Sequence, residues 1–183
     1  MDDTQERSAI LIPFPAVDDI VDAWRAALDP AQIRGIPAHV TVLFPFVNPR
    51  ELSIEVVKVL EDYFSNTSTF DVAFESTGWF EKRVVYLEPK PRDRFVTMTH
   101  ALLRAFPSCL PYGGKFSDPT PHLTLGDGAP LERLRHAEGA VRERLPITTR
   151  AKEAWLMTGG MEPKSWSLRR SFPMSDSLAA SSC

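Results

Sequence analysis

The chain has 183 residues, of which 43% are hydrophobic and 25% charged, and its formal net charge is −3. This balance is that of an ordinary globular protein and predicts one domain with a sizeable core. A net negative charge argues against a protein that binds long nucleic acids non-specifically, because such binding depends on neutralising many phosphates. It leaves room for a pocket that holds a single phosphate group.

The two cysteines, Cys109 and Cys183, stand in neither a CxxC nor a metal-ligand spacing. We therefore expect no disulfide framework, no zinc site and no cofactor. The first ten residues are polar and acidic, unlike a secretory signal, and no apolar run reaches the roughly 18 residues of a membrane span. These features predict a cytoplasmic protein with no membrane partner.

The first half of the chain predicts helices and strands in alternation. Hydrophobic runs and helical periodicity indicate, in chain order, a strand over 8–14, a helix over 16–30, a strand over 39–46, a helix over 51–64 and strands over 70–76 and 84–89. The last two strands are too close in sequence for a crossover connection, so we expect them to form an antiparallel hairpin.

The second half predicts a similar series of elements. The same signals indicate, in chain order, a helix over 95–106, a short strand over 122–125, a helix over 131–145 and a closing strand pair over 148–158 and 165–172. Small polar residues dominate 173–183, where we expect a disordered tail after a domain that covers 1–172.

The similar order of elements in the two halves indicates an approximate internal repeat. It predicts an α+β fold with two similar lobes related by a pseudo-twofold axis. Because the strand pairs read as hairpins, we expect antiparallel sheets that line a central cleft, with the helices outside.

Two of the four histidines stand in the same local sequence, PAHVTVLF around His39 and TPHLTLGD around His122. Alternate side chains of a strand point to the same face. Each strand therefore presents one imidazole beside one hydroxyl, that of Thr41 in the first motif and that of Thr124 in the second. If the lobes pack about a twofold axis, the two pairs converge on one cleft.

This set of groups suits the cleavage of a phosphodiester. Imidazole titrates near neutral pH, so one ring can accept a proton while the other donates one. The threonine hydroxyls can donate hydrogen bonds to the non-bridging phosphate oxygens. The competing interpretation of a single His-x-Thr is structural, because a buried histidine can have both ring nitrogens satisfied and threonine is common in strands. A metal site is disfavoured, because neither motif has a carboxylate on the same strand face.

The sequence resembles the 2H phosphoesterase superfamily, which is named for two His-x-Thr/Ser motifs, and especially its 2′-5′ RNA ligase and cyclic phosphodiesterase branch. The resemblance rests on GIPAHVTVLFPF and PHLTLGDG, extends over roughly residues 8–172, and includes the PYGGKF loop before the second motif. It implies a bilobal fold, a metal-free mechanism and His39, Thr41, His122 and Thr124 as catalytic residues.

The resemblance also implies a 2′,3′-cyclic phosphate or 2′-5′ linkage, on an RNA end or a nucleotide, as substrate. Ligation of RNA ends through a 2′-5′ linkage is the same chemistry in reverse and remains open. So do a module that binds nucleotides without turnover and a structural role in a protein-interaction domain. We expect a monomer with no obligate protein partner.

The loop before the second motif contains three candidate substrate-binding residues. Lys115 could offset phosphate charge, and Tyr112 and Phe116 could stack on a base. A solvated loop whose aromatic rings fold onto the core explains the same residues equally well.

Overall fold

The computed structural model describes residues 6–110 and 120–176. Its strands are β1 (Arg7–Pro13), β2 (His39–Leu43), β3 (Phe70–Phe80), β4 (Val84–Lys90), β5 (Leu123–Asp127), β6 (Ile147–Ala151), β7 (Glu153–Gly159) and β8 (Ser167–Pro173). Its helices are α1 (Pro15–Leu28), α2 (Pro30–Ile33), α3 (Ile54–Ser65), α4 (Arg92–Ala105) and α5 (Leu131–Arg142), with a 3₁₀ turn over Pro49–Glu51.

The strands form two four-stranded antiparallel sheets of matching design. The first sheet has the order β2-β1-β7-β8 and the second the order β5-β4-β3-β6. In the first sheet the edge strand β2 contains the first His-x-Thr motif and pairs with β1, the strand that precedes helix α1. In the second sheet the edge strand β5 follows His122 of the second motif and pairs with β4, the strand that precedes helix α4. The prediction of an α+β fold with two similar antiparallel lobes is confirmed.

Each lobe is covered by a helix that follows a strand of the other lobe. Helix α1 leaves the first sheet and packs on β5 of the second, while α4 leaves the second sheet and packs on β2 of the first. Gly126 of β5 permits the first approach, since a β-carbon there would lie 2.6 Å from Leu134 and 3.0 Å from Leu28. The exchange brings β2 and β5, the two motif strands, into contact.

A single hydrophobic core joins the two lobes. Phe14, which lies between β1 and α1, packs edge-on against Phe74 of β3 and Phe95 of α4, at ring distances of 5.4 and 6.3 Å. One continuous cluster of buried residues contains side chains from both sheets. No helix among the described residues is long and apolar enough to cross a bilayer.

The expected single strand over 148–158 is wrong, because this segment contains two strands in different sheets. Strand β6 pairs with β3 in the second sheet, and β7 pairs with β1 in the first. The chain changes sheets at Lys152. The residues on both sides of Lys152 favour a strand, so the local sequence does not show the break. The break exists because β6 and β7 pair with different strands that are distant in sequence.

Several element ends also differ from expectation, and two of them have a clear physical reason. Helix α3 begins at Ile54, because the Ser53 side chain accepts a hydrogen bond from the Val56 N–H at 3.4 Å and acts as its N-cap. Ordered structure continues past residue 172, since Met174 is buried and Ser175 exchanges backbone hydrogen bonds with Thr67 and Thr69. Residues 177–183 lie outside the described part of the chain.

Candidate active site

The first motif occupies the start of β2, at the edge of the first sheet. His39 pairs with Pro13 of β1 and Thr41 pairs with Leu11. Both motif side chains are partly buried, whereas Val40 and Val42 are buried on the opposite face. The alternation of β2 therefore turns the imidazole and the hydroxyl to one side, as the sequence predicts.

The second motif repeats this arrangement at the edge of the second sheet. His122 directly precedes β5, and Thr124 pairs with Tyr86 of β4. Both motif side chains are partly buried, and Leu123 and Leu125 behind them are fully buried. Because β2 and β5 touch, the two motifs lie near each other, close enough for the charge of one imidazole to act on the other.

The two imidazole rings are held by the same local hydrogen bond. Nδ1 of His39 lies 2.7 Å from the carbonyl oxygen of Pro37, and Nδ1 of His122 lies 2.7 Å from that of Thr120. A carbonyl oxygen only accepts, so Nδ1 carries the hydrogen in both rings. Each neutral ring therefore keeps the Nε2 lone pair for proton transfer.

Burial lowers the pKa of both histidines. Removal from water is the largest cause for His39 and brings its pKa to about 4, although the Pro37 hydrogen bond acts in the opposite direction. Removal from water likewise lowers the pKa of His122, opposed by its hydrogen bond to Thr120. Both rings are therefore predominantly neutral near pH 7.

Nearby charges act differently on the two rings. The positive charges of Arg25 and of protonated His122 lower the pKa of His39 further. The negative charge of Asp29 instead raises the pKa of His122. The charges of Arg25 and Asp29 belong to an ion cluster that also includes the partly buried Asp18. The cluster disfavours a proton on His39 and favours one on His122.

An aromatic wall, formed by Phe80 and Tyr86, lies beside the second motif. The His122 ring packs edge-on against Phe80 at 4.9 Å and lies 5.4 Å from the Tyr86 ring. The two wall residues are 4.4 Å apart. Gly78 makes room for this wall, because a β-carbon there would lie 2.6 Å from the Tyr86 ring.

Sequence reasoning predicts that the four motif residues share one site, and β2 and β5, the strands of the two motifs, touch. It misses the wall residue Tyr86 and the ion cluster. The available signals were a glycine within the bulky strand β3 and the i,i+4 pair of Arg25, in the last turn of α1, and Asp29, just after it. The candidate substrate-binding residues Tyr112, Lys115 and Phe116 lie outside the described residues.

The other two histidines are accounted for by ordinary positions. His100 is exposed on α4, and the ring of His136 on α5 packs against Trp24 at 5.2 Å. Within 6–110 and 120–176, no group of three or more His, Cys, Asp or Glu side chains is arranged to hold a metal ion.

Solved structures share this fold at low sequence identity. A crystal structure of E. coli LigT complexed with 3′-AMP matches with a TM-score of 0.60 and 19% identity, over 94% of this chain and 99% of that one. A protein of Thermus thermophilus matches with a TM-score of 0.63 and 17% identity, over 93% and 99% of the two chains.

Sequence comparison assigns the family. A putative phosphoesterase of Bacillus pumilus (strain SAFR-032) is 26% identical over 95 residues, which cover 51% of this chain and only 55% of that relative. The family model of the 2′-5′ RNA ligase superfamily matches residues 13–160, a span that contains both His-x-Thr motifs. The chain belongs to the 2′-5′ RNA ligase superfamily.

Proposed function

We propose that this protein is a phosphoesterase that hydrolyses a 2′,3′-cyclic phosphate, or a related cyclic or 2′-5′ phosphodiester, without a metal ion. The observation that carries this proposal is that two histidines, one at the start of β2 and one just before β5, make the same local hydrogen bond beside two touching strands. Each donates Nδ1–H to the carbonyl two residues earlier and so retains Nε2 for proton transfer. Membership of the superfamily and the putative phosphoesterase among its relatives support the same reaction class.

In this mechanism His39 is the general base and His122 the general acid. Nε2 of His39 takes a proton from water as its oxygen bonds to phosphorus. Nε2 of protonated His122 gives a proton to the ribose oxygen as the bond from that oxygen to phosphorus breaks. The ion cluster supports this division, because Arg25 disfavours a proton on His39 and Asp29 favours one on His122. The product is a 2′- or 3′-phosphomonoester, and exchange with solvent restores both rings.

Thr41 and Thr124 would donate hydrogen bonds to the non-bridging phosphate oxygens. Charge on these oxygens grows in the transition state, where fixed donors stabilise it most. The phosphate anion would also raise the pKa of the nearby imidazoles when it binds. This effect would keep on His122 the proton that a general acid needs.

The nucleoside part of the substrate would contact the aromatic wall. Phe80 is only partly buried and offers ring surface next to His122, whereas Tyr86 is buried and packs against Phe80. Stacking on such a ring is a common way to hold an unpaired base. The crystal structures of E. coli LigT with 3′-AMP and with ATP support a nucleotide-type ligand in this fold.

The test is hydrolysis of 2′,3′-cyclic nucleotides and of an oligonucleotide that ends in a cyclic phosphate, in the presence of EDTA. We expect wild-type protein to turn over at least one substrate, and His39→Ala and His122→Ala to lose about 10²–10⁴-fold in rate each. His100→Ala removes an exposed imidazole from α4 and is the matched control.

Loss of turnover on addition of EDTA would contradict the metal-independent mechanism. Wild-type rates in either motif variant would contradict the two-histidine mechanism. Binding of the nucleotides without product, by folded wild-type protein, would favour a binding module over an enzyme.

A further inference from the structure

The ion cluster on α1 includes an arginine that is almost fully buried. The Arg25 side chain is 1% exposed and donates from Nε and Nη2 to Oδ2 of Asp29, at 3.0 and 2.8 Å. Asp29 in turn accepts the Ala31 N–H at 2.9 Å. Burial of a charged pair costs free energy that its mutual attraction only partly offsets, so its further contacts decide what the pair does.

Those contacts lead to the segment that precedes the first motif. Nη2 of Arg25 also donates to the carbonyl oxygen of Ile36 at 3.2 Å. Oδ1 of Asp18 accepts the Ala38 N–H at 2.8 Å and lies 3.6 Å from Nη1 of Arg25. The cluster therefore grips the backbone on both sides of Pro37.

The Pro37 carbonyl is held through this network. It shares its peptide plane with the Ala38 N–H, so the hydrogen bond from that N–H to Asp18 orients it. That carbonyl oxygen is the atom that accepts Nδ1–H of His39. The hydrogen-bonded path from Arg25 and Asp18 thus ends on the ring nitrogen that sets the tautomer of His39.

We propose that Arg25 and Asp18 are positioning residues for His39, which hold residues 36–38 so that the Pro37 carbonyl keeps the hydrogen on Nδ1 and leaves Nε2 toward the cleft. The catalytic part of this inference rests on the proposed function, whereas the structural part does not. The second motif provides a comparison within the molecule, since Thr120, which accepts from His122, is exposed.

The test measures the tautomer and the rate separately. Ring ¹⁵N NMR signals of His39 are assigned by their loss in His39→Asn, and kcat/KM is measured on a 2′,3′-cyclic nucleotide. Arg25→Lys removes the planar fork but keeps the charge, and Asp18→Ala removes the acceptor for Ala38. Asp18→Asn keeps an acceptor oxygen and is the conservative partner of Asp18→Ala.

Thr99→Val is the matched structural control. Its hydroxyl donates to the Val42 carbonyl oxygen at 2.8 Å, so it supports the same strand without touching residues 36–38. We expect Thr99→Val to lower the melting temperature and leave the His39 tautomer unchanged.

We expect Arg25→Lys and Asp18→Ala to shift His39 toward a mixture of Nδ1–H and Nε2–H forms, with His122 unchanged. The accompanying loss in kcat/KM should be about 10- to 100-fold, as expected when a reacting group is misplaced by about 1 Å. Asp18→Asn should restore both readouts.

An unchanged His39 tautomer in folded Arg25→Lys and Asp18→Ala would overturn the inference. If Arg25→Lys does not fold, the pair of Asp18 variants decides. A tautomer shift in a protein whose wild-type form lacks turnover would keep the positioning role and contradict the proposed function instead.

Discussion

The two motif neighbourhoods share one backbone plan and differ in what surrounds it. In both, a strand at the sheet edge presents an imidazole and a hydroxyl, and Nδ1 bonds to the carbonyl two residues earlier. Around His39 that carbonyl belongs to Pro37, in a segment that is hydrogen-bonded to the ion cluster. Around His122 the carbonyl is on exposed Thr120, and the ring rests on the aromatic wall.

This contrast indicates how two similar lobes could perform two unlike proton-transfer steps. Acid–base catalysis needs two similar groups in opposite protonation states. Matching strands supply the similar groups, and unlike charges come from Arg25 in the last turn of α1 and from Asp29 just after this helix. The matching strands would thus fix the geometry of the two imidazoles. The charges of Arg25 and Asp29 would decide which imidazole accepts a proton and which one donates it.

The largest expected effect is on the pH dependence of hydrolysis. Because kcat/KM reports the free enzyme, its acid limb should follow His39, whose pKa is about 4. Its alkaline limb should follow His122 and lie below pH 6.5, since burial lowers that pKa from 6.5. His39→Asn should lose about 10²–10⁴-fold and flatten the acid limb, and His122→Asn should lose as much and flatten the alkaline limb.

A pH series of initial rates for the three proteins makes this comparison. The same limb flattened in both variants would show that the two histidines do not divide the roles. The alkaline limb of kcat should lie at higher pH than that of kcat/KM, because bound phosphate stabilises the imidazolium ion.

The second-largest expected effect is the loss of rate when a motif hydroxyl is removed. Thr41→Val and Thr124→Val preserve shape and remove one donor each, so each should lower kcat by about 10²-fold with a folded protein. Circular dichroism and the melting temperature check the fold. Equal losses would indicate that both hydroxyls hold the phosphate, whereas an unchanged kcat in one variant would assign that threonine a purely structural role.

Burial of His39 should also appear in the stability of the protein. Between pH 6.5 and about 4 the unfolded chain binds a proton at this residue and the folded protein does not. The free energy of unfolding should therefore fall as the pH falls through this window, by about 2 kcal/mol from this residue. Urea unfolding at pH 7 and pH 4.5 should show a smaller drop in His39→Asn than in wild type; equal drops would contradict the burial argument.

The smallest expected effect is on nucleoside recognition by the aromatic wall. Phe80→Leu should weaken binding of a nucleoside 2′-monophosphate by about 10-fold, the lower part of the range for one stacked base. Binding of inorganic phosphate should not change, because it lacks a base. Isothermal titration calorimetry measures the affinity for each ligand. Equal losses of affinity for the two ligands would show that the aromatic wall does not bind the base.

Much of this fold could be predicted from the sequence, because its signals are local. The alternation of HVTVL places His39 and Thr41 on one face, and the short separation of β3 and β4 indicates a hairpin. The division at Lys152 was missed, because β6 and β7 differ in their partners rather than in their own residues.

In the site, too, local features could be predicted and contacts between distant segments could not. The motif residues could be recognised from their spacing, since a strand imposes its period on neighbours in sequence. Arg25 acts on residues 36–38 through hydrogen bonds that exist only after α1 has packed on the second sheet. Tyr86 contacts His122 from another strand, β4. The space for its ring is left by Gly78, and this pairing is evident only once the register of β3 and β4 is known.

The most direct test of the two-histidine mechanism is the hydrolysis rate of a 2′,3′-cyclic nucleotide by wild type, His39→Asn, His122→Asn and the double variant, all in EDTA. Groups that act as one unit are strongly non-additive. We expect a severe loss in each single variant and no substantial further loss in the double variant. A single variant with the wild-type rate, or losses that multiply in the double variant, would contradict this mechanism.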